Sequence, residues 1–156
     1  MPADLPPPTQ QPLELILARN LLTTLSTPAF LLGQSGELLF YNEGAGALLG
    51  VSFEESGRMM PEQWISTFGP YDANGQPVDF EQLSLTAAIR DRRPGHSAFR
   101  VRTRNGSFQD IAASALPIIS TEHGPTGAIV VFWPLDEDMA RQITDEHLLT
   151  QRAVGG

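Results

Sequence analysis

Strand-like segments stand in two groups at opposite ends of this chain, and the helical pattern between them limits the fold more than any other feature. Near the start, Ala29–Leu32 and Glu37–Tyr41 are short apolar runs joined by the turn-forming residues Gly33-Gln34-Ser35-Gly36. Much later, Ser97–Arg104, Ser107–Ile119 and Gly127–Trp133 read as three more strands. The first of these alternates, with Phe99, Val101 and Thr103 against Arg100, Arg102 and Arg104. It runs into Asn105-Gly106, the strongest short hairpin signal in the sequence. Gly127–Trp133 and the two early strands are apolar on both faces, so both faces of the sheet need cover. The expected fold class is α+β: one five-stranded antiparallel sheet, sewn from both ends of the chain, with helices on one face.

Helix signals fill the middle. Asn42 stands where an N-cap belongs and Glu43 follows in the first turn, where the helix dipole favours an acid. Ala45, Ala47, Leu48 and Leu49 pack that helix, and Gly50 stops it. Ser52 and Glu55 have capping-box spacing. Residues 57–77 give no firm element, although Met59, Met60, Trp64, Ile65 and Phe68 are large and apolar. Asp72-Ala73-Asn74-Gly75 is a turn, and Asp79 caps a helix over Phe80–Arg92 that Pro94-Gly95 ends.

Leu13–Leu25 has the spacing of an amphipathic helix, with Leu15, Ala18, Leu22 and Leu25 on one seam. Ile16, Leu17 and Leu21 widen the stripe, which suits either a helix packed on its own sheet or one shared between that sheet and a second chain. The chain therefore divides into a Pro-rich, disordered arm over residues 1–12, a domain over 13–135 that includes this helix, and a C-terminal helix and tail over 136–156.

Composition excludes several chemistries. There is no cysteine, hence no thiol nucleophile, thiolate zinc site or iron–sulfur cluster. Every basic side chain is arginine, which removes Schiff-base and phosphate-loop lysines. A formal charge of −8 argues against nucleic acid as a partner. No apolar run nears the roughly 20 residues that span a bilayer, and the N-terminus lacks a secretion signal, so a cytoplasmic location and no membrane partner are expected.

The order strand–strand–helices–strand–strand–strand resembles that of the PAS domain. Pro28-Ala29-Phe30-Leu31-Leu32 and Gly36–Asn42 resemble the family's opening hairpin, which ends at a helix-capping asparagine. Gly50-Val51-Ser52-Phe53-Glu54-Glu55 resembles its next segment, and Tyr71–Val78 with Leu83 and Ala87-Ala88-Ile89-Arg90 resembles the entry to its long helix in bacterial sensor proteins. Asn105-Gly106, Leu116-Pro117 and Gly127–Phe132 resemble its last three strands. The likeness covers residues 13 to about 140. One departure is plain: the family usually leaves its last strand through an Asp-(Ile/Val)-Thr triplet, and here Trp133-Pro134-Leu135-Asp136-Glu137-Asp138 stands in that place. Nothing after residue 140 resembles a kinase, cyclase, phosphodiesterase or DNA-reading domain, so output through another chain is expected.

The resemblance implies sensing and signal transmission by binding, relayed through a homodimer and a separate output protein, and no enzymatic step. A small apolar ligand such as a fatty acid would lie between the long helix and the inner sheet face, against Phe40, Trp64, Phe68, Leu85, Ile89, Phe99, Val101 and Val130; the competing reading is that these side chains fill the space themselves. A cysteinyl-flavin adduct is excluded by the absence of cysteine, and non-covalent flavin stays open, with Trp64 or Trp133 as a wall. Haem is not expected, because residues 80–93 hold no histidine. Leu15, Leu22, Val131 and Trp133 are the expected dimer contact, and Arg100, Arg102 and Arg104 an expected ridge for an acidic partner. Two alternatives are a ligand-free adaptor of the same fold and a cone-shaped α+β enzyme, whose acid–base pair could only be Asp110 and His96.

Overall fold

The computed structural model describes residues 13–79, 86, 90–122 and 124–135. The expected N-terminal arm, most of the helix over 80–92 and the C-terminal helix lie outside the described residues; Thr86, Arg90 and Asp91 are helical.

Helix α1 (Leu13–Thr24) precedes β1 (Ala29–Gly33) and β2 (Leu38–Tyr41), which form the opening hairpin. Three helices follow: α2 (Glu43–Leu49), α3 (Phe53–Ser56) and α4 (Pro61–Phe68). Strands β3 (Gly95–Arg102), β4 (Phe108–Ser120) and β5 (Gly124–Pro134) complete the element order. All five strands lie in one sheet in the order β2-β1-β5-β4-β3, with every neighbouring pair antiparallel. The join between the two ends of the chain is the β1–β5 ladder, in which Ala29 faces Val131 and Gly33 faces Gly127.

Local chemistry explains the helices. The Asn42 side chain accepts from the Ala45 N–H at the start of α2, and Gly50, at φ 85°, ends it with an N–H donated to the Gly46 carbonyl. Ser52 caps α3 through the Glu55 N–H, but the Glu55 carboxylate turns outward to Arg104, so the box is half made. Helix α4, which the sequence pattern does not announce, starts with Pro61 in its first turn and with the Gln63 side chain accepting from the Met60 N–H. It is short, and only Trp64 and Phe68, one turn apart, are buried on it.

Both open edges of the sheet are covered. Leu38 on β2 exchanges backbone hydrogen bonds with Met59, and Arg100 on β3 exchanges them with Tyr71. Strand β5 begins at Gly124, earlier than the expected Gly127, because β4 and β5 continue pairing past an irregularity at Ile118/Ile119, with Ser120 opposite Gly124.

The sheet separates two apolar layers. On the inner side Leu32, Leu38, Tyr41, Leu49, Phe68 and Phe132 form one cluster. On the outer side Leu15, Ala18 and Leu22 of α1 pack on Ala29, Leu31, Leu39 and Phe40. Phe40 is thus on the face opposite to the one its expected role required. The cause is a bulge: Leu31 pairs with Phe40 but Leu32 pairs with Leu38, so Leu39 is the extra residue. One added residue reverses the alternation, leaving Leu38 and Tyr41 inside and Phe40 outside.

Candidate functional site

Alternation on the remaining strands builds a cavity on the inner face. Phe30 and Leu32 of β1, Val130 and Phe132 of β5, Ile111 and Ala113 of β4, and Phe99 and Val101 of β3 each present residues two apart to the same space. Trp64, Phe68, Gly69 and Pro70 close it from the helical side. The Trp64 indole N–H is anchored to the Gly36 carbonyl at 2.9 Å, which holds the ring against the opening hairpin. The described lining is apolar throughout, and the cavity volume is about 30 Å³. Pockets that enclose small molecules are about 300–1,000 Å³, so a fatty acid or flavin could enter only if the wall moved outward.

Of the expected wall residues, Trp64, Phe68, Phe99, Val101 and Val130 meet around this cavity. Phe40 does not, for the reason given above, and Leu85 and Ile89 lie outside the described residues. Trp133 does not line it either; it is on the outer face, paired with Ala112 and exposed. The period-two partners Phe30, Leu32, Ile111, Ala113 and Phe132 were not singled out from the sequence, although each stands two residues from another wall position or in a neighbouring strand.

The expected dimer residues separate into two kinds. Leu15 and Leu22 are buried on the protein's own sheet, so they are not available to a second chain. Val131 is half-buried in the same outer cluster. What α1 leaves exposed is the other part of its wide stripe, Leu13, Ile16, Leu17 and Leu21. Leu116 and Trp133 are exposed large apolar residues on β4 and β5.

The three arginines of the expected ridge each have a partner of their own. The Arg100 Nε donates to Asp110 Oδ1 at 2.8 Å, directly across the β3–β4 ladder. Arg102 stacks over the Tyr71 ring at 5.1 Å and lies 5.7 Å from the Phe108 ring. Arg104 lies beyond the end of β3 and pairs with Glu55 at 2.6 Å. Each cation is therefore engaged within the chain. Arg104 also lies on the rim of a solvent-open groove of about 480 Å³ between the end of α2 and the β3–β4 turn.

Asp110 and His96 do not meet. Asp110 is held by Arg100, His96 lies 2.8 Å from the Ser114 hydroxyl, and three residues of β3 separate His96 from the Arg100 position that faces Asp110. Both belong to the outer-facing set of positions, away from the cavity. Tyr41, inside, donates to the Val51 carbonyl at 2.6 Å and accepts from the Ser56 hydroxyl. Burial pushes its phenol above the ordinary value; the Ser56 hydrogen bond opposes this, and nearby Glu54 and Glu55 add to it. Among the described residues, no helix is long and apolar enough to cross a membrane.

No family model matches the sequence, and no curated protein matches it. Solved structures do. A PAS domain from Colwellia psychrerythraea superposes with a TM-score of 0.57 at 17% identity, covering 77% of this chain and 97% of that one. A PAS domain from a two-component sensor histidine kinase gives 0.53 at 20% identity, covering 79% and 97%. A light-oxygen-voltage domain studied with a flavin analogue gives 0.65 at 12% identity, covering 84% and 93%. An antiparallel sheet ordered β2-β1-β5-β4-β3, with the helices inserted between its second and third strands, carries that likeness, and the chain has the PAS fold.

Proposed function

We propose that this chain is a regulatory signal-transduction module that works by binding, and that it relays a change through a homodimer formed on α1. The observation that carries the reading is the division of α1 into two apolar faces. Leu15, Ala18 and Leu22 are spent on the protein's own sheet, while Leu13, Ile16, Leu17 and Leu21 stay exposed. A surface helix with one face already buried has no intramolecular use for a second apolar stripe, and contiguous exposed apolar patches mark interaction sites. The setting of similar folds agrees: one belongs to a sensor histidine kinase and another to a light-oxygen-voltage protein.

Protein contact is favoured over a resident ligand by the cavity. At about 30 Å³ the side chains fill their own space. The one polar side-chain group of the described lining, the Trp64 indole N–H, is already donated to the Gly36 carbonyl. The second reading, an apolar ligand such as a fatty acid, rests on that same uniformly apolar wall. Sedimentation of the full chain over a concentration series tests the dimer, and a species that stays monomeric at tens of micromolar would overturn it. Intact-mass and absorbance measurements on freshly purified protein separate the two readings: a stoichiometric lipid or flavin favours the ligand sensor, and its absence favours the adaptor.

A further inference from the structure

Asn42 does more than cap α2. Its side chain is 2% exposed and makes polar contacts to three separate segments. The Oδ1 atom accepts from the Ala45 N–H in α2 and from the Ala29 N–H at the start of β1, each at 3.0 Å. The Nδ2 atom donates toward the carbonyls of Leu22, Leu25 and Thr27, at 3.2, 3.2 and 2.8 Å. An amide has two N–H bonds, so one of them is shared between two carbonyls. Those three acceptors are the end of α1 and the linker that follows it.

The last four carbonyls of a helix have no partner within the helix. Helix α1 carries no basic residue in its last turn and ends without a glycine C-cap. The Leu22 carbonyl accepts from the Leu25 N–H just past the helix, and the amide of a residue 20 positions away in sequence adds a second donor there, each at 3.2 Å. The same region is packed to contact: a Cβ at Gly44, in the first turn of α2, would press into the Ser26 carbonyl. Helix α1 lies on the outer face and α2 packs with the inner cluster, so this amide is where the two sides meet.

We propose that Asn42 is a latch that holds the C-terminal end of α1 against the core, and that its donor half sets how readily α1 leaves the sheet. This rests on the reading of α1 as the relay element. The donor and acceptor halves can be separated chemically. Asn42→Asp keeps an oxygen for the Ala45 and Ala29 N–H groups, and a carboxylate is a good N-cap. It removes both N–H donors and sets negative oxygen beside three carbonyls. Gly44→Ala disturbs the same joint from the side of the linker and leaves the amide intact.

Amide hydrogen exchange of the full chain, followed separately over residues 13–28 and over β4–β5, tests the latch. The expected result for Asn42→Asp is exchange about tenfold or more faster in the α1 segment, with β4–β5 changed less than about twofold. Gly44→Ala is expected to shift the same segment in the same direction. If β4–β5 accelerates together with α1, Asn42 serves global stability alone and the latch is refuted. An unchanged α1 in Asn42→Asp refutes it too. Should Asn42→Asp not fold, Asn42→Ser keeps a capping oxygen, lacks the reach to the carbonyls, and is judged by the same two segments. Exchange is measured below and above any association range found by sedimentation. A monomer with a working latch would overturn the dimer reading alone, and a dimer whose α1 ignores Asn42 would overturn the latch alone.

Discussion

Replacing Leu17 by Glu is the sharpest perturbation of the α1 surface. Leu17 is 57% exposed, so about half of its side chain is still available for burial. Full burial of a leucine is worth about 1.5–3 kcal/mol, which puts the remaining half near ~1 kcal/mol per copy. In a two-fold dimer the residue occurs twice. The lost burial is therefore about 2 kcal/mol, and forcing two carboxylates into the contact adds about 1 kcal/mol or more each. The total of about 4 kcal/mol corresponds to roughly a thousandfold in Kd. The expected result is a species that sediments as monomer at concentrations where the parent protein is dimeric, while Leu17→Met leaves the equilibrium near its starting point. Because the side chain points away from the core, thermal unfolding of the monomer should move little, in keeping with the ±0.5 kcal/mol typical of surface changes.

The same arithmetic limits how the interface is built. Leu13, Ile16, Leu17 and Leu21 are each about half exposed, so two copies of the stripe supply on the order of 8 kcal/mol of burial. Association costs about 4–15 kcal/mol in lost freedom. The helix by itself barely covers that cost, so a stable dimer requires Leu116 and Trp133 on the outer sheet as well. If Leu17→Glu dimerises like the parent protein, the interface is elsewhere and the reasoning from the second stripe is wrong.

Three other outcomes follow from the packing. Leu22→Ala empties a fully buried position between α1 and the sheet, and urea unfolding should show a loss of about 2–5 kcal/mol; a loss under about 1 kcal/mol would mean that α1 is not part of the cooperative core. Neutralising the exposed Arg104–Glu55 pair with Glu55→Gln should cost no more than about 1 kcal/mol, and a larger value in the same assay would show that the pair organises the turn beside α2. Tyr41 gives a pH signature. Its phenol is raised above 10.0 by burial, so above that pH the unfolded chain gives up the proton more readily than the folded one. The stabilising contribution is complete below pH 10.0 and is lost as the pH climbs through the higher folded value; denaturant midpoints should fall faster over that window than they do for Tyr41→Phe, and equal slopes would contradict the assignment.

Much of this architecture was legible because its signals are local. The opening hairpin has glycines at both ends of its turn, the caps at Asn42 and Ser52 precede the helices they start, and Asn105-Gly106 fixes the β3–β4 turn. The missed features depend on information that is not local. Helix α4 has two buried residues one turn apart, too few for periodicity to stand out. The bulge at Leu39 falls in a run of apolar residues, where a slipped register leaves no trace in the pattern, and Phe40 was assigned to the wrong face on that account. The partners of the expected ridge arginines are not local either. The β3–β4 connection is centred on Asn105, with the Thr103 N–H donated to the Ser107 carbonyl, and this sets Arg100 across from Asp110; a two-residue Asn105-Gly106 turn would set it across from Ile111. Strand alternation alone shows which residues share a face and says nothing about what faces them.

The stretch from Leu39 to Asn42 gathers these observations. Leu39 is the extra residue, Phe40 faces out, Tyr41 faces in, and Asn42 joins α1, β1 and α2. Phe53 of α3 touches both sides of this stretch, with its ring 5.2 Å from Phe40 and 5.4 Å from Tyr41. Arg19 of α1 reaches over Phe40 at 4.6 Å, which carries the contact onto the outer helix. An unbulged β2 would leave Phe40 and Tyr41 on opposite faces too, but with their faces exchanged: Phe40 would stand inside, away from Arg19, and Tyr41 outside, away from the Phe68 ring that it meets at 6.4 Å. The bulge thus determines which aromatic residue meets α1 and which meets the helices of the inner layer. Changes in the helices around the inner cavity and changes in α1 act on neighbouring residues of one strand. That is the physical requirement for a fold in which events on one face of a sheet are felt by a helix on the other.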